Sequence, residues 1–153
     1  SVSVEKSRAE IESVLRKYGC DEFGYVTRPA MAMISFCLTS SEDKRLRIQM
    51  KLPLPPMKDF ETVKGAYGKV LSRSPELQAR MWEQACRSLW RALLLVIKAK
   101  LEAVTVGIST IEREFLADIV LPGGGTVGDE VMAQLPHMPN DGAGRLMLTG
   151  RVA

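Results

Sequence analysis

The stretch KRLRIQMKLPLPP, residues 44–56, alternates polar and apolar side chains with a period of two. Successive side chains of a β-strand point to opposite faces, so this alternation predicts a half-buried strand. Its apolar face carries Leu46, Ile48, Met50, Leu52 and Leu54, and its other face carries Arg45, Arg47, Gln49 and Lys51. A fold with this strand needs a hydrophobic layer on one side of a sheet and leaves a line of cations on the other.

A second strand with the same pattern precedes it. AMAMISFCL, residues 30–38, places Ala32, Ile34, Phe36 and Leu38 on one face and Met31, Met33, Ser35 and Cys37 on the other. TSSED between the two strands has turn chemistry, which predicts an antiparallel hairpin. Pro53, Pro55 and Pro56 end it, because proline lacks the backbone donor that a sheet requires.

Helices are predicted on either side of this hairpin. The first begins at Ser7, which opens a capping-box pattern, or one turn earlier near Ser3, and ends at Gly19. Ser74-Pro75-Glu76 begins a long helix whose apolar stripe continues to about Val106. Shorter elements follow: a helix capped by Ser109-Thr110, and a hairpin or turn around Gly123–Gly125 that leads into a last short helix.

The expected fold is therefore α+β, with an N-terminal helix, a small antiparallel sheet with a basic outer face, a long central helix packed on it, and short C-terminal helices. Residues 1–135 form one domain in this prediction, and residues 136–153 form a loosely structured tail. Residues 57–73 are expected to be a mobile connector or lid. The long helix is too widely apolar to be covered on one side alone, which predicts a homo-oligomer with Trp82, Trp90 and Leu94 at its interface.

Composition narrows the possible functions. The net charge is only +3, but residues 1–75 hold 13 Lys and Arg against 9 Asp and Glu. Three scattered cysteines and one histidine, His137, predict neither a disulfide framework nor a zinc site. The longest apolar run, Ala92–Ile97, is too short for a membrane span, and no leader pattern is seen. These features predict a soluble protein of the cytoplasm, without a cofactor.

The basic strand face is the main functional candidate. Same-face residues of a strand lie roughly 6.5–7 Å apart, close to the phosphate spacing of an extended nucleic-acid strand. Arg45, Arg47 and Lys51 are predicted to contact phosphates, with Met31 and Met33 forming an apolar platform for bases. Additional cations are expected to assist from loops, namely Lys44, Lys58, Lys64 and Lys69, with Phe60 and Tyr67 interleaved. The alternative is a solvated face whose charges discourage edge-to-edge aggregation.

No pattern of catalytic residues is recognisable, so a non-enzyme is predicted. Glu112, Glu114 and Asp118 are the only carboxylate cluster that suggests a metal-dependent nuclease, and no Lys or His follows at a catalytic spacing. GGGTVGD, residues 123–129, lacks the lysine of a phosphate-binding loop.

Two stretches, VSVEKSRAEIESVLRKYG and WRALLLVIKAKLEAVTVGISTIEREFLADIVLPGGGTVGD, together cover a little over a third of the chain. They resemble small uncharacterised proteins of tailed bacteriophages and prophages of proteobacteria, although this chain has Gly-Gly-Gly where that group has Asp-Gly after Leu-Pro. The resemblance implies a phage setting and a host-cell cytoplasm. The expected function is non-catalytic binding of single-stranded DNA in phage replication or recombination. The alternative is an interaction protein that inhibits or redirects a host factor of defence or transcription.

Overall fold

A computed structural model describes residues 2–140 of the chain. The predicted C-terminal tail therefore lies mostly outside the described residues. The elements, in chain order, are α1 (Val4–Lys17), β1 (Phe23–Arg28), β2 (Met31–Thr39), β3 (Arg45–Pro53), β4 (Thr62–Lys64), β5 (Val70–Ser72), α2 (Pro75–Thr105), α3 (Ile111–Glu114) and α4 (Val127–Gln134). This order confirms the predicted α+β class.

The main sheet has three antiparallel strands in the order β1-β2-β3. β2 and β3 pair with Ile34 opposite Met50 and Phe36 opposite Ile48, so the predicted apolar faces coincide. Their inward side chains are buried in one cluster with Ile11 and Leu15 of α1 and with apolar residues of α2. The other face of the sheet carries the polar side chains of β3. Within residues 2–140 neither of the two long helices covers it, and the first turn of α4 reaches its edge through Asp129, 3.9 Å from Lys51.

The core lies between this sheet and the two helices. Phe36 of β2 meets Phe115 edge to face, with ring centroids 5.8 Å apart. Trp90, Leu94 and Ile97 of α2 lie in the same cluster. Burial of this apolar surface is the main source of stability for the fold.

Both long helices begin at serine caps. Ser3, not Ser7, caps α1, because its Oγ accepts a hydrogen bond from the Lys6 amide at 3.2 Å. Ser7 lies inside the helix and is buried. Ser74 caps α2 in the same way, as predicted, through the Leu77 amide.

Residues 57–73, which are expected to be a mobile connector or lid, contain regular structure. After a short turn at Met57–Phe60 they form a separate antiparallel hairpin, with Val63 opposite Leu71. Tyr67 and Gly68 both have positive φ, 62° and 75°, as the two central residues of a type I′ turn require. We call residues 62–72 the arm.

Candidate nucleic-acid interface

The polar side chains of β3, at its odd-numbered positions, lie on the uncovered face of the sheet, as predicted. Lys51 is directly opposite Met33, and Pro53 is opposite Met31 on β2. The side chains of Arg45, Arg47 and Lys51 are each about half exposed, and Met31 and Met33 are half buried beside them. The structure thus brings the predicted cations and methionines onto one surface.

The two arginines on this surface are already paired. Arg45 Nη2 donates to Asp21 Oδ1 at 3.1 Å and to Glu22 Oε2 at 2.9 Å. Arg47 Nη2 donates to Glu22 Oε1 at 2.9 Å. These hydrogen bonds, from Arg47 first and then Arg45, hold the pKa of Glu22 below its ordinary value. Because Glu22 stays ionised, a phosphate group would have to displace this carboxylate to reach either guanidinium.

The remaining strand cations also have acidic neighbours. Lys51 Nζ lies 3.9 Å from Asp129 Oδ2, and Lys44 Nζ lies 3.8 Å from Glu42 Oε2. Asp129 belongs to the capping box of α4, and its hydrogen bonds with Thr126, together with the charge of Lys51, lower its pKa. The line of cations that the sequence indicated is therefore compensated along its length.

The cations of the arm and its base have no such partners. None of the ion pairs among residues 2–140 involves Lys58, Lys64 or Lys69. Lys64 ends β4, and Lys69 immediately precedes β5, so one lysine stands on each side of the turn. No Asp or Glu occurs within residues 62–72. The arm is thus a described segment whose positive charge is uncompensated. Lys6, Lys17, Arg28, Arg80 and Arg113 likewise take part in none of these ion pairs, but they lie outside the arm.

The arm also exposes apolar and aromatic side chains. Every residue of β4 and β5 is exposed, including Val63, Val70 and Leu71. Tyr67, at the tip, is fully exposed. A two-stranded ribbon with apolar residues in water on both faces gains little stability from its own packing.

The base of the arm is fixed to the body of the protein by hydrogen bonds. Arg73 Nη1 donates to the carbonyl oxygens of Phe60 and Thr62 at 3.1 and 3.3 Å. Gln78 Nε2 donates to the Met57 carbonyl at 3.0 Å, and Trp82 Nε1 donates to the Pro55 carbonyl at 2.8 Å. The arm is thus attached to the first turns of α2.

Two of the three residues predicted at the oligomer interface are buried within the single chain, and the place of Trp82 at an interface stays a prediction. Trp90 and Leu94 are 2% and 0% exposed and belong to the core of the single chain. Trp82 is partly buried and holds Pro55. The sequence showed that α2 is apolar on too many sides, but it could not show which side faces the sheet. The exposed side of α2 includes a stripe of small and apolar residues, namely Ser88, Ala92, Leu95, Val96, Ala99 and Val106, with Lys98 and Glu102 exposed beside it. We call this the outer stripe.

The three carboxylates considered for a nuclease do not form a site. Glu112 Oε1 accepts from the Ser41 amide at 3.0 Å, and Asp118 is partly buried, which raises its pKa. Within residues 2–140, no three His, Cys, Asp or Glu side chains are grouped so that they could hold a metal ion. Gly123–Gly125 form a turn closed by the Leu121 amide, which donates to the Gly125 carbonyl at 2.7 Å.

Comparison with known proteins adds no assignment, because no family model, curated protein or solved structure matches the chain. Over the described residues, the helices are too short or too polar to cross a lipid bilayer.

Proposed function

We propose that this protein binds nucleic acid without catalysis, with a preference for single-stranded DNA, and that the arm is its main contact. The observation that carries the proposal is the combination of two unpaired lysines and a fully exposed tyrosine on one anchored ribbon. A setting in phage replication or recombination is part of the same proposal.

The chemistry of the arm suits a single strand. Sequence-neutral binders of single strands combine cations along the backbone with aromatic rings on which bases stack. Lys64 and Lys69 would neutralise neighbouring phosphates, and Tyr67 would stack on the base between them. A two-stranded ribbon also fits the major groove of duplex DNA, so binding to both forms is to be compared.

The strand face plays a secondary part in this proposal. Phosphate binding to Arg45 or Arg47 requires breaking their hydrogen bonds to Glu22, and the gain is reduced by that loss. Lys51, whose contact with Asp129 is long, is the cation of this face that a phosphate reaches at the smallest cost. The involvement of Met31, Met33 and the strand cations stays a prediction.

We also propose that a second copy of the chain covers the outer stripe of α2. The 31-residue helix is about 46 Å long. The members of the stripe, from Ser88 to Val106, are uncharged, and Arg91, Lys98 and Glu102 lie along one border of it. Its small residues, Ser88, Ala92 and Ala99, recur at spacings that keep them on one face and permit close helix approach.

Charge complementarity favours an antiparallel arrangement of the two helices. One border of the outer stripe has Arg91 near its start, 3.5 Å from Glu10 of the same chain, and Glu102 near its end. In an antiparallel pair centred on Leu95 and Val96, Glu102 of one copy lies beside Arg91 of the other. A dimer carries two arms, and two linked contacts strengthen binding to one strand of DNA.

The direct test is fluorescence anisotropy of labelled single- and double-stranded oligonucleotides at several salt concentrations. We expect binding that weakens steeply with salt, because each neutralised phosphate releases counterions. Absence of binding to either form at low salt would contradict the proposed function.

A second candidate function is supported by the uncovered face of the sheet. Val26, Met31 and Met33 form an apolar centre there, and the paired charges of Arg45, Arg47 and Glu22 border it. Methionine and arginine are enriched at protein interfaces, whose rims are polar. This face suits a protein partner, as expected of a chain that inhibits or redirects a host factor. Such a chain would bind a partner protein, lose that binding in a Met33→Glu variant, and ignore free oligonucleotides.

A further inference from the structure

A cleft of about 340 Å³ lies between the first turn of α1 and the N-terminal half of α2. Trp82, Trp90, Leu54 and Cys86 supply apolar lining, and Arg8 and Arg87 supply two guanidinium groups. This volume is in the range of small-molecule sites, which are mostly apolar with a few placed polar groups.

The two arginines are the unusual feature of this cleft. The Nε atoms of Arg8 and Arg87 are both buried, and neither has a hydrogen-bond acceptor among the described residues. A buried N–H of a charged group without an acceptor is costly, so the two guanidinium groups are incompletely compensated. Because the Nε atoms themselves are closed to water, an anion in the cleft would compensate these groups through their Nη atoms. They are two of three such buried side-chain atoms in residues 2–140, and both belong to residues that line the same cleft.

The position of each arginine is set by packing. The Arg8 guanidinium lies 4.3 Å from the ring centre of Tyr25 and 5.2 Å from that of Trp90, so its orientation is restricted by two aromatic rings. Arg87 is partly buried and takes part in none of the ion pairs of the described chain. One cation is therefore held in place and the other is available.

Two acidic residues also line the cleft, but they lie toward solvent. Glu5 approaches Arg8 only to 3.9 Å, and its side chain is 81% exposed, compared with 18% for Arg8. Glu83 is exposed as well. Positive charge is thus placed deeper in the cleft than negative charge, which favours a ligand whose anionic group enters first.

We propose that this cleft binds a nucleoside monophosphate group, with the phosphate on Arg8 and Arg87 and the base against the apolar wall that includes Trp82. The same group occurs as a free nucleotide and as the 5′-phosphorylated end of a DNA strand. The second source rests on the proposed function, and the cleft lies next to the base of the arm, since Trp82 both lines the cleft and holds Pro55.

Intrinsic tryptophan fluorescence is a direct measurement, because the chain has two tryptophans and both line the cleft. The probes are deoxyadenosine monophosphate, deoxyadenosine and inorganic phosphate. We expect a saturable change with the monophosphate and a much weaker one with the nucleoside or phosphate alone. Equal responses to the monophosphate and to phosphate would overturn the placement of the base, and no response to any probe would overturn the site.

Variants make the test specific to this cleft. Arg87→Gln is expected to weaken monophosphate binding about 10-fold or more, the loss of a charge-assisted hydrogen bond. Arg80→Gln, an exposed change on the same helix outside the cleft, is the matched control. Thermal unfolding by circular dichroism establishes that both variants fold. Equal losses in the two variants would show general charge attraction and contradict the proposal.

Whether the bound monophosphate is a free nucleotide or the 5′ end of a DNA strand is tested separately from DNA binding by the arm. An oligonucleotide with a 5′-phosphate is compared with the same oligonucleotide ending in a 5′-hydroxyl, in wild type and in Arg87→Gln. A preference for the phosphorylated end that disappears in Arg87→Gln supports a strand end in the cleft. If both ends bind equally while the monophosphate still binds, the site takes the free nucleotide. Oligonucleotide binding through the arm is unaffected by either result.

Discussion

Arg47 Nη2 donates a hydrogen bond to Glu22 Oε1 at 2.9 Å across the uncovered face of the sheet, and the other oxygen of Glu22 accepts from Arg45. Glu22 immediately precedes β1, and its carbonyl accepts from the amide of Cys37, the residue of β2 directly opposite Arg47. Glu22 and Arg47 therefore flank Cys37 in one row across three strands. Because of these hydrogen bonds, the face that the sequence indicates to be basic is a network of opposite charges.

The pairing predicts how stability depends on pH. The folded-state pKa of Glu22 is lowered from its ordinary value of 4.5, so the ionised carboxylate stabilises the fold above that value. This contribution is lost as the pH falls through the lowered folded-state pKa. We expect Glu22→Gln to melt at a lower temperature than wild type at neutral pH, with the difference shrinking in acid. Circular dichroism melts over a pH series measure this.

Glu61→Gln is the control for that series, because Glu61 is exposed and takes part in none of the ion pairs of the described chain. It should show little difference from wild type at any pH. A melting deficit of Glu22→Gln that is the same at neutral and acidic pH would contradict the role given to the ion pairs.

Neighbouring leucines on α2 test which side of the helix faces the core. Leu94 is fully buried, whereas Leu95 is 54% exposed. Leu94→Ala should lower the free energy of unfolding by about 2–5 kcal/mol. Leu95→Ala should change it by about 0.5 kcal/mol or less when unfolding is measured in urea at dilute protein concentration. Comparable losses in the two variants would mean that the side of α2 that faces the core has been assigned incorrectly.

The outer stripe is tested by placing a charge on it. Leu95→Glu should convert the proposed dimer to a monomer, because a carboxylate cannot be buried between the apolar faces without a partner. Leu116→Glu is the matched control, since Leu116 is 52% exposed and lies off α2. Sedimentation velocity gives the mass of each. If wild type is already monomeric at micromolar concentration, or if Leu95→Glu remains dimeric, the second copy is not held by this stripe.

Local patterns predicted much of this fold. The period-two alternation of residues 30–38 and 44–54 identified β2, β3 and their buried faces, because a strand buried on one side leaves little choice of register. Ser74-Pro75-Glu76 fixed the start of α2 for similarly local reasons. The inward side of α2 was less predictable, since its apolar residues cover more than one side and only tertiary packing selects Trp90 and Leu94.

The candidate site depended more on contacts distant in sequence. Arg45 and Glu22 are 23 residues apart, and no local pattern shows that β1 places that carboxylate beside the arginine. The hairpin of the arm was not predicted because Gly65 and Gly68 suggest flexibility, whereas with Tyr67 they form a tight turn. Arg8 and Arg87 were not identified because they lie on separate helices. Their residue type was an indication that they have a specific role, since arginine is uncommon in positions that face a core.

The hydrogen bonds at the base of the arm predict its rigidity. Arg73→Ala removes the donor to the Phe60 and Thr62 carbonyls, so the paired amides of β4 and β5 should exchange with solvent about 10-fold faster or more. Hydrogen exchange followed by NMR measures this at the Gly65 amide, which donates to the Lys69 carbonyl. Arg80→Ala should leave that exchange unchanged. Unchanged exchange in Arg73→Ala would show that the arm does not depend on this anchor.

The most direct test of the account compares two variants that each remove two positive charges. Lys64→Gln with Lys69→Gln changes the arm, and Arg45→Gln with Arg47→Gln changes the strand face. Anisotropy of a labelled single-stranded oligonucleotide is titrated with each protein over a range of salt concentrations. We predict that the arm variant binds more weakly and that its salt slope falls by about 1.4, the value for two lost phosphate contacts. The strand variant should lose much less affinity than the arm variant, because Arg45 and Arg47 are already paired with Asp21 and Glu22. Loss of binding in the strand variant alone would contradict the proposal that the arm is the main contact. The binding site would then be assigned to Arg45 and Arg47.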